Sequence, residues 1–447
     1  MNSAETLDLL RRFESRNVTF IEADGSWPIV WTRARGTHVW DAEGRRYLDL
    51  TAAFGVAAAG HSNPRVVRAG ARQMGTLLHA MGDVHPHPLK ALLARELSAI
   101  TFERWSKTPP SRRTPKTGPQ TGKCIFGTSG SEAVEMALKT ARLATGKADI
   151  IAFTGGYHGL GYGALNATHR DHFRAAFLDQ LRSFGRFATY PSGPADSPRS
   201  LAAAEAELRR LFRKHPVGAV LVEPVQARGG IHIPPPGFLP LLRQLADEFG
   251  ALLIVDEIYT GFGRTGRWFA CEGSAVVPDL VCLGKALTGG FPLSACVGTA
   301  GVMDRAWPDS TGEAIHTSTF LGHPVGCAMA LTQLRELADR QLVDQAATLG
   351  EALLSGLESI AARAGRIRRS ARGIGLMAGL ELRRPDGTPA TGESIAVMKA
   401  LLRRGFIVLP EGEHSNVISF TPPLTLTAAQ LKRTLGALDS VLEEFAP

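Results

Sequence analysis

The chain has 447 residues, of which 44% are hydrophobic and 21% are charged, and its formal net charge is +8. This composition is typical of a globular protein long enough for more than one domain, and no apolar stretch approaches the roughly 20 residues of a membrane-spanning helix. The basic residues are spread along the chain and form no patch interleaved with aromatic side chains, which disfavours nucleic-acid binding. We expect a globular protein with neither nucleic-acid nor membrane partners.

The cysteines and the first residues indicate the cellular compartment. The five cysteines show no CxxC or Cys/His ligand spacing, so we expect reduced, structural thiols and no metal site: Cys124, Cys271, Cys282, Cys296 and Cys327. The start of the chain leads into a charged amphipathic stretch without a hydrophobic signal region. These features predict a cytoplasmic location.

The first 122 residues contain two recognisable features. Short alternating segments at 37–40 and 46–50 flank the turn-forming residues 41–44, which predicts a small β-hairpin. The basic, Pro-rich stretch 103–122 is too polar to pack and predicts a surface loop or disordered insert. A phosphate- or partner-binding role is the alternative for that insert.

Strand-like runs alternate with helical patterns between about 120 and 300, at 123–126, 149–153, 219–222, 252–255, 280–283 and 294–297. Such alternation predicts a mostly parallel sheet covered by helices on both faces. From about 325 a long helical pattern is followed by the segment 373–382, helices near 392–404 and from about 427, and strands near 405–409 and 416–420. The segment from about 325 onward therefore predicts a smaller α/β unit.

Two ionisable residues follow apolar strand-like runs. Asp256 ends the run 252–255, and Lys285 comes just after the run 280–283. Ligands of open α/β sheets bind beyond the carboxyl ends of the strands, so the two residues are expected to share a site. A carboxylate after an aliphatic strand requires a cation, and apolar and glycine neighbours would lower the pKa of the lysine toward a nucleophilic form. Considered alone, a lysine in a Gly-rich turn is commonly a solvated surface residue.

Two more segments complete a possible cofactor site. Ser129, Gly130 and Ser131 follow a strand and open a helix, which favours phosphate binding, although an ordinary helix cap without ligand has the same pattern. Tyr157 and His158 follow another strand and could present a stacking ring, or simply a packed loop aromatic. Together the parts match pyridoxal phosphate: a phosphate cradle, a stacking aromatic, a carboxylate for the ring nitrogen and a lysine for the aldehyde.

These motifs, met in order from about 36 to 425, resemble the class III pyridoxal-phosphate aminotransferases, which include ω-amino-acid, ornithine and 4-aminobutyrate transaminases. The matching segments are 36–41, 60–61, 129–133, 155–159, 222–226, 253–266, 284–286, 316–324 and 422–423. The resemblance implies fold type I, with a large domain (61–325) whose mostly parallel seven-stranded sheet lies between helices. A smaller α/β domain would combine 1–60 with 326–447. It also implies a homodimer with active sites at the subunit interface.

The resemblance assigns roles by position. Lys285 matches the Schiff-base lysine and Asp256 the partner of the pyridine nitrogen. The positions that match the family's cofactor contacts are Ser129, Gly130, Ser131, Tyr157, His158, Glu223, Tyr259 and Thr319. Among them, Tyr259 replaces a glutamine, Glu223 resembles the partner of an arginine, and Thr319 matches the threonine that reaches the neighbouring subunit's phosphate.

Departures from the family pattern concern the substrate. Leu160 and Ser419 stand where members that use 2-oxoglutarate commonly carry arginines, and Phe54 falls where the family lines its substrate pocket. Losing those arginines removes two bidentate carboxylate clamps. Other arginines could take over, or be merely structural or surface residues: Arg170, Arg174, Arg264 and Arg372.

The pattern therefore predicts an aminotransferase with an ω-amine or ω-amino-acid donor and an acceptor that is pyruvate, an aldehyde or a ketone more than 2-oxoglutarate. A racemase, epimerase, decarboxylating enzyme or aminomutase with the same fold and cofactor is the nearest alternative. A non-catalytic basic binding protein is disfavoured because all four chemical parts are intact.

Overall fold

Strands and helices alternate through most of the chain in a computed structural model that describes residues 1–107, 120–192 and 200–444. The strands are β1 (Trp31–Arg35), β2 (His38–Asp41), β3 (Arg46–Asp49), β4 (Gly122–Gly127), β5 (Asp149–Phe153), β6 (Gly185–Ala188), β7 (Val217–Val222), β8 (Leu252–Asp256), β9 (Leu280–Leu283), β10 (Ser294–Thr299), β11 (Arg368–Ile374), β12 (Met377–Arg383), β13 (Phe406–Ile407), β14 (Leu409–Glu411) and β15 (Val417–Phe420).

The helices are α1 (Ser3–Phe13), α2 (Ala52–Gly55), α3 (Pro64–Thr76), α4 (Pro88–Ser98), α5 (Arg104–Ser106), α6 (Gly130–Thr145), α7 (Tyr162–Leu165), α8 (Asp171–Arg174), α9 (Leu201–Lys214), α10 (Phe238–Phe249), α11 (Ala300–Ala306), α12 (Pro324–Asp339), α13 (Leu342–Ala361), α14 (Thr391–Arg403) and α15 (Ala428–Glu444). The predicted α/β class is confirmed. The long helical pattern after 325 is two consecutive helices, α12 and α13.

Seven of the described strands form the central sheet, in the order β4-β10-β9-β8-β7-β5-β6. The neighbours from β9 to β6 are all parallel, whereas β10 is antiparallel to both β4 and β9. The prediction of a mostly parallel sheet is thus confirmed. The edge strand β6 was missed because its four residues, Gly-Arg-Phe-Ala, contain no apolar run.

Both faces of the central sheet are buried. In β8, Leu253 and Val255 belong to one apolar cluster and Leu252 and Ile254 belong to another, because successive side chains of a strand point to opposite faces. Helix α10 contributes to the first cluster and α6 to the second. The aliphatic runs in the sequence therefore reflect helices on both sides of the sheet, as predicted.

Two smaller sheets complete the fold. The predicted hairpin is confirmed as the antiparallel pair β2 and β3, and β13 pairs in parallel with β3, so this sheet joins both ends of the chain. The second sheet has the order β11-β12-β15-β14. The single strand predicted near 405–409 is wrong in detail, since β13 and β14 belong to different sheets.

The insert predicted at 103–122 is only partly accessible to comparison, because 108–119 lie outside the described residues. Its first residues do pack, contrary to the expectation of a wholly polar loop. Trp105 is 7% exposed, and its indole N–H donates to Glu272 Oε1 at 2.9 Å. The large apolar ring outweighs the polar neighbours here.

Within 1–107, 120–192 and 200–444, no helix is long and apolar enough to cross a lipid bilayer. The same residues contain no group of three or more His, Cys, Asp or Glu side chains that could hold a metal ion.

Candidate active site

Four neighbouring parallel strands deliver the predicted chemical residues to one edge of the central sheet. Tyr157 and His158 follow β5, Glu223 follows β7, Asp256 is the last residue of β8, and Lys285 comes two residues after β9. Because parallel strands end at the same edge, residues far apart in sequence meet there. This topology brings Asp256 and Lys285 to the same edge of the sheet, where the sequence predicted a shared site.

These side chains line one cavity of about 560 Å³. Of the residues predicted to contact the cofactor, all line it except Ser129 and Thr319. Of the predicted substrate residues, Phe54 and Leu160 line it. The cavity therefore gathers most of the predicted site within the described residues.

Asp256 is held in place by a buried histidine. Its Oδ2 lies 2.8 Å from His158 Nδ1, and its Oδ1 accepts a hydrogen bond from the backbone N–H of Ile258 at 3.1 Å. Burial disfavours the protonated form of His158, but the hydrogen bond and charge of Asp256 outweigh it and raise the pKa of the imidazole. Before any ligand is considered, the partner that holds this carboxylate in place is therefore His158.

Lys285 places its amine in the cavity, 4.4 Å from the centre of the Tyr259 ring. Burial lowers the pKa of the amine, although Asp256, Glu223 and Glu411 oppose this shift electrostatically. Among the described residues the amine makes no ion pair. A desolvated, unpaired amine of this kind suits covalent attachment to an aldehyde.

The first turn of α6 supports an anion site, although one predicted residue has another role there. The Ser129 hydroxyl accepts the backbone N–H of Glu132 at 3.2 Å, so Ser129 caps the helix, and a role toward phosphate stays a prediction. Gly130 and Ser131 line the cavity, and the Ser131 hydroxyl oxygen accepts the Gly161 N–H at 3.1 Å. First-turn N–H groups have no intrahelical partners and favour a phosphate.

Two glycines allow the walls of the cavity to approach each other. Gly159 has φ +108°, and a Cβ there would lie 2.7 Å from the Cβ of Ser131. A Cβ at Gly55, which has φ +82°, would lie 2.5 Å from Tyr259 Cε2. The Tyr259 hydroxyl is 3.1 Å from Thr421 Oγ1. Only glycine fits these contacts without displacement of the ring or the helix start.

Phe54 reaches the cavity from an unusual backbone segment. Ala52, Ala53 and Phe54 all have positive φ, at 48°, 48° and 60°, directly before Gly55. Non-glycine residues rarely adopt this region. The Phe54 side chain is 49% exposed, so it forms the outer rim of the cavity together with Leu160.

The arginines proposed from the sequence lie outside the cavity. Arg372 donates to main-chain carbonyl groups and pairs with Glu381 at 2.5 Å. Arg264 is buried on two carbonyl oxygens, and burial lowers its pKa to about 10. Arg170 donates to a backbone carbonyl at 3.4 Å, and Arg174 lies 4.8 Å from an aromatic ring centre. Arg372 and Arg264 thus have the structural roles that were the alternative for these positions.

Two other predicted residues also lie apart. The Ser419 hydroxyl donates to the carbonyl of Leu409 at 3.1 Å within the sheet of β14 and β15. Thr319 is exposed on the segment between α11 and α12. Within this single chain neither residue contributes to the cavity.

Sequence reasoning missed Arg228 and Glu411. Arg228 lines the cavity, its guanidinium carbon lies 5.6 Å from the centre of the Tyr157 ring, and its Nε lies 3.8 Å from Glu411 Oε2. Burial raises the pKa of Glu411 to about 7 and that of Glu223 to about 7, against the opposing charges nearby. The available sequence signal was the position of Arg228 after β7, at the same sheet edge.

The residues present fit pyridoxal phosphate. The cavity combines an unpaired lysine amine, a carboxylate fixed by a histidine, an aromatic face at Tyr157 and a helix start at Gly130 and Ser131. These are the four parts that the cofactor's aldehyde, ring nitrogen, ring and phosphate require.

Comparison with known proteins supports the assignment of this cavity to pyridoxal phosphate. The family described as "Aminotransferase class-III" matches residues 20–442. The chain is 35% identical to a 5-aminovalerate aminotransferase of Pseudomonas aeruginosa, over 94% of each chain. It is 36% identical to a putrescine aminotransferase of Pectobacterium atrosepticum, over 95% of this chain and 85% of the relative.

A solved structure of an amine transaminase from an uncultivated Pseudomonas species, with pyridoxal phosphate bound, superposes with a TM-score of 0.85 at 29% identity. The superposition covers 97% of this chain and 98% of that one. The fold type I architecture expected from the sequence is thereby confirmed, as is the dependence on pyridoxal phosphate. The chain belongs to the class III aminotransferases.

Proposed function

We propose that this aminotransferase moves an amino group from an ω-amine or ω-amino acid to pyruvate, an aldehyde or a ketone, in preference to 2-oxoglutarate. The observation that carries the proposal is the apolar Leu160 in the cavity wall, together with a Ser419 hydroxyl that is bonded to a backbone carbonyl. A dicarboxylate acceptor needs two cationic partners, and neither position supplies one. Two relatives named for 5-aminovalerate and putrescine support a donor with a terminal amine.

Cofactor binding is assigned to the residues that line the cavity. We propose that Lys285 forms the covalent link to pyridoxal phosphate, and that the backbone N–H groups of Gly130 and Ser131 hold the phosphate. Tyr157 covers one face of the ring, and Asp256, oriented by His158, keeps the ring nitrogen protonated. When bound, the cofactor supplies an electron sink for the negative charge left on the substrate carbon.

Proton transfer is assigned to the Lys285 amine. With an amino donor bound, the neutral Lys285 Nζ would take the proton from the carbon that bears the substrate amine, and the resulting ammonium would hold that proton for its return. A base needs a neutral form at working pH, and burial lowers the pKa of Lys285 in that direction. The Tyr259 ring, whose centre lies 4.4 Å from Nζ, limits the positions that the amine can reach.

We further propose a homodimer in which Thr319 reaches the partner subunit's phosphate site, which is consistent with its exposure in the single chain. The proposed domains are 1–60 with 326–447, and 61–325; the pairing of β13 with β3 supports a unit made from both ends of the chain. Light scattering of the purified enzyme tests the dimer. A cytoplasmic location stays a prediction, tested by cell fractionation.

A matrix of donors and acceptors tests the proposed reaction. Putrescine, 5-aminovalerate and a simple primary amine are each combined with pyruvate, propanal and 2-oxoglutarate, and the aminated products are quantified. We expect amino transfer to pyruvate or propanal at a higher kcat/KM than to 2-oxoglutarate. A preference for 2-oxoglutarate contradicts the acceptor assignment, and exchange of the α-hydrogen of an amino acid without amino transfer contradicts the reaction.

A further inference from the structure

Arg228 is the only arginine among the described residues that line the cavity. Its side chain is 32% exposed and makes no hydrogen bond to any other side chain or backbone group of the described residues. Its nearest charged partner, Glu411, lies 3.8 Å away, beyond hydrogen-bond distance. A guanidinium carries five N–H donors in a planar fork that matches a carboxylate. The cavity therefore holds an available carboxylate-binding group.

Glu411, the acid paired with this guanidinium, is buried. Its side chain is 2% exposed, and Arg228 is its ion-pair partner. The titratable or charged groups that face it are Arg170, Glu223, Arg228, Tyr259 and Lys285. Burial raises the pKa of Glu411 to about 7, although the nearby cations oppose this shift. An additional anion beside Arg228 would favour the protonated form of Glu411 further.

We propose that Arg228 binds the carboxylate of a monocarboxylate acceptor such as pyruvate, and that Glu411 takes up one proton from solvent when this carboxylate binds. The inference rests on the proposed function, because it names how the same cavity selects its acceptor. One positive charge then faces one negative charge both before and after binding, since the incoming carboxylate replaces the ionised Glu411 as the partner of Arg228. The only covalent change is the new O–H bond on Glu411.

The other arginines of this region do not compete for this role. None of the three lines the cavity: Arg372 donates to the backbone carbonyl of Gly230, Arg264 donates through Nη1 to the carbonyl of Pro422, and Arg170 donates to the carbonyl of Glu413. One guanidinium can clamp one carboxylate in bidentate fashion. The arrangement thus favours a monocarboxylate over 2-oxoglutarate, whose second carboxylate would remain unpaired beside Leu160.

A comparison of two acceptors tests Arg228. Kinetics with pyruvate and with propanal, which lacks the carboxylate, are measured for the holoenzyme and for the variants Arg228→Gln and Arg228→Lys. We expect Arg228→Gln to lower kcat/KM for pyruvate by roughly ten- to hundredfold and to change the value for propanal less than about threefold. Arg228→Lys should be intermediate, because it keeps the charge without the fork. Equal losses for both acceptors would overturn the assignment.

The matched control is Arg170→Gln, which removes a neighbouring guanidinium outside the cavity lining. We expect its ratio of pyruvate to propanal efficiency to stay within about twofold of the unmodified enzyme. A ratio that falls as far as in Arg228→Gln would show that general positive charge, and not Arg228, selects pyruvate.

Calorimetry tests the proton without relying on turnover. Propionate, an unreactive monocarboxylate, is titrated into the holoenzyme at pH 8 in two buffers of different ionisation enthalpy. We expect uptake of roughly half to one proton per propionate, and weaker binding as the pH rises above 7, because the bound state carries the extra proton. Glu411→Gln should abolish this uptake and bind propionate more tightly at pH 8.

Unchanged proton uptake in Glu411→Gln would place the proton on another group and overturn the coupling. Propionate affinity that is unchanged in Arg228→Gln would overturn the clamp. If the unmodified enzyme aminates neither pyruvate nor propanal, the proposed function fails, while the propionate titration still decides the roles of Arg228 and Glu411.

Discussion

The inner and outer ends of the cavity are built in different ways. The inner end is formed by Asp256, the last residue of β8, by Lys285, two residues after β9, and by His158 in the segment after β5. The outer end is formed by Phe54 in the short α2, by Leu160 in the segment after β5 and by Arg228 in the segment after β7. Rigid strands give the precision that bond-making groups need, whereas loops on such a scaffold can vary. The difference indicates where chemistry and where selectivity can be changed independently.

Lys285→Ala should have the largest effect, because the inner end depends on this amine for both covalent attachment and proton transfer. We expect a loss of at least about 10³-fold in kcat, and loss of the visible absorbance that marks cofactor bound through the lysine. Absorbance spectra and steady-state rates check this. Lys432→Ala, on the exposed face of α15, is the control and should keep both. Retained absorbance in Lys285→Ala would show that another lysine holds the cofactor.

Asp256→Asn should reduce kcat by roughly 10²- to 10³-fold, since a neutral amide cannot stabilise a protonated ring nitrogen. It also removes the group that raises the pKa of His158, so the pKa of this imidazole should fall. Rates and the NMR titration of His158 measure the two effects. Asp304→Asn, on the surface, is the matched control. Activity equal to that of the unmodified enzyme would show that the reaction does not depend on the Asp256 carboxylate.

Leu160→Arg changes only the outer end and should therefore alter acceptor choice more than turnover. A second guanidinium in the cavity wall should lower KM for 2-oxoglutarate by about tenfold while kcat with propanal stays within about threefold. Kinetics with the two acceptors measure this, and Leu160→Met controls for the change in shape. If KM for 2-oxoglutarate does not fall, Leu160 does not determine acceptor choice.

Glu223→Gln should change the stability of the enzyme. Burial raises the pKa of this carboxyl from 4.5 to about 7, so the folded state retains a proton that the unfolded state releases, and stability falls as pH rises through this range. Glutamine removes this penalty, worth up to about 3 kcal/mol. The thermal midpoint of the variant should therefore exceed that of the unmodified enzyme more at pH 8 than at pH 5. The exposed Glu413→Gln should show no such pH-dependent difference, and an equal shift at both values would contradict the assigned cause.

The sequence was most informative where an ionisable residue follows a buried strand. Asp256 and Lys285 were predicted to share a site because both follow apolar strand-like runs and ligands of open α/β sheets bind beyond the carboxyl ends of the strands. The pairing of Asp256 with Cys282 in adjacent strands brings them together. Arg228 and Glu411 could not be found this way. Their proximity depends on how β14, in a separate sheet, lies against the segment after β7, and no local pattern encodes that placement.

The same dependence on segments distant in sequence explains why two arginines named as candidate carboxylate clamps lie outside the cavity. Arg372 and Arg264 have the chemistry of substrate clamps, but the carbonyl groups that occupy them belong to segments distant in sequence. Ser129 shows a further limit, because a helix cap and a phosphate contact share one sequence pattern, and the hydrogen bond accepted from Glu132 establishes the cap without testing the phosphate contact.

The left-handed backbone at 52–54 has a practical consequence for protein engineering. Randomising Phe54 would be an obvious way to widen the range of accepted amines, yet a β-branched replacement would meet steric resistance from its own main chain. Libraries that restrict position 54 to glycine, asparagine and unbranched side chains should contain a larger fraction of folded variants. Diversity at Leu160 carries no such restriction, since this residue is not among those with positive φ.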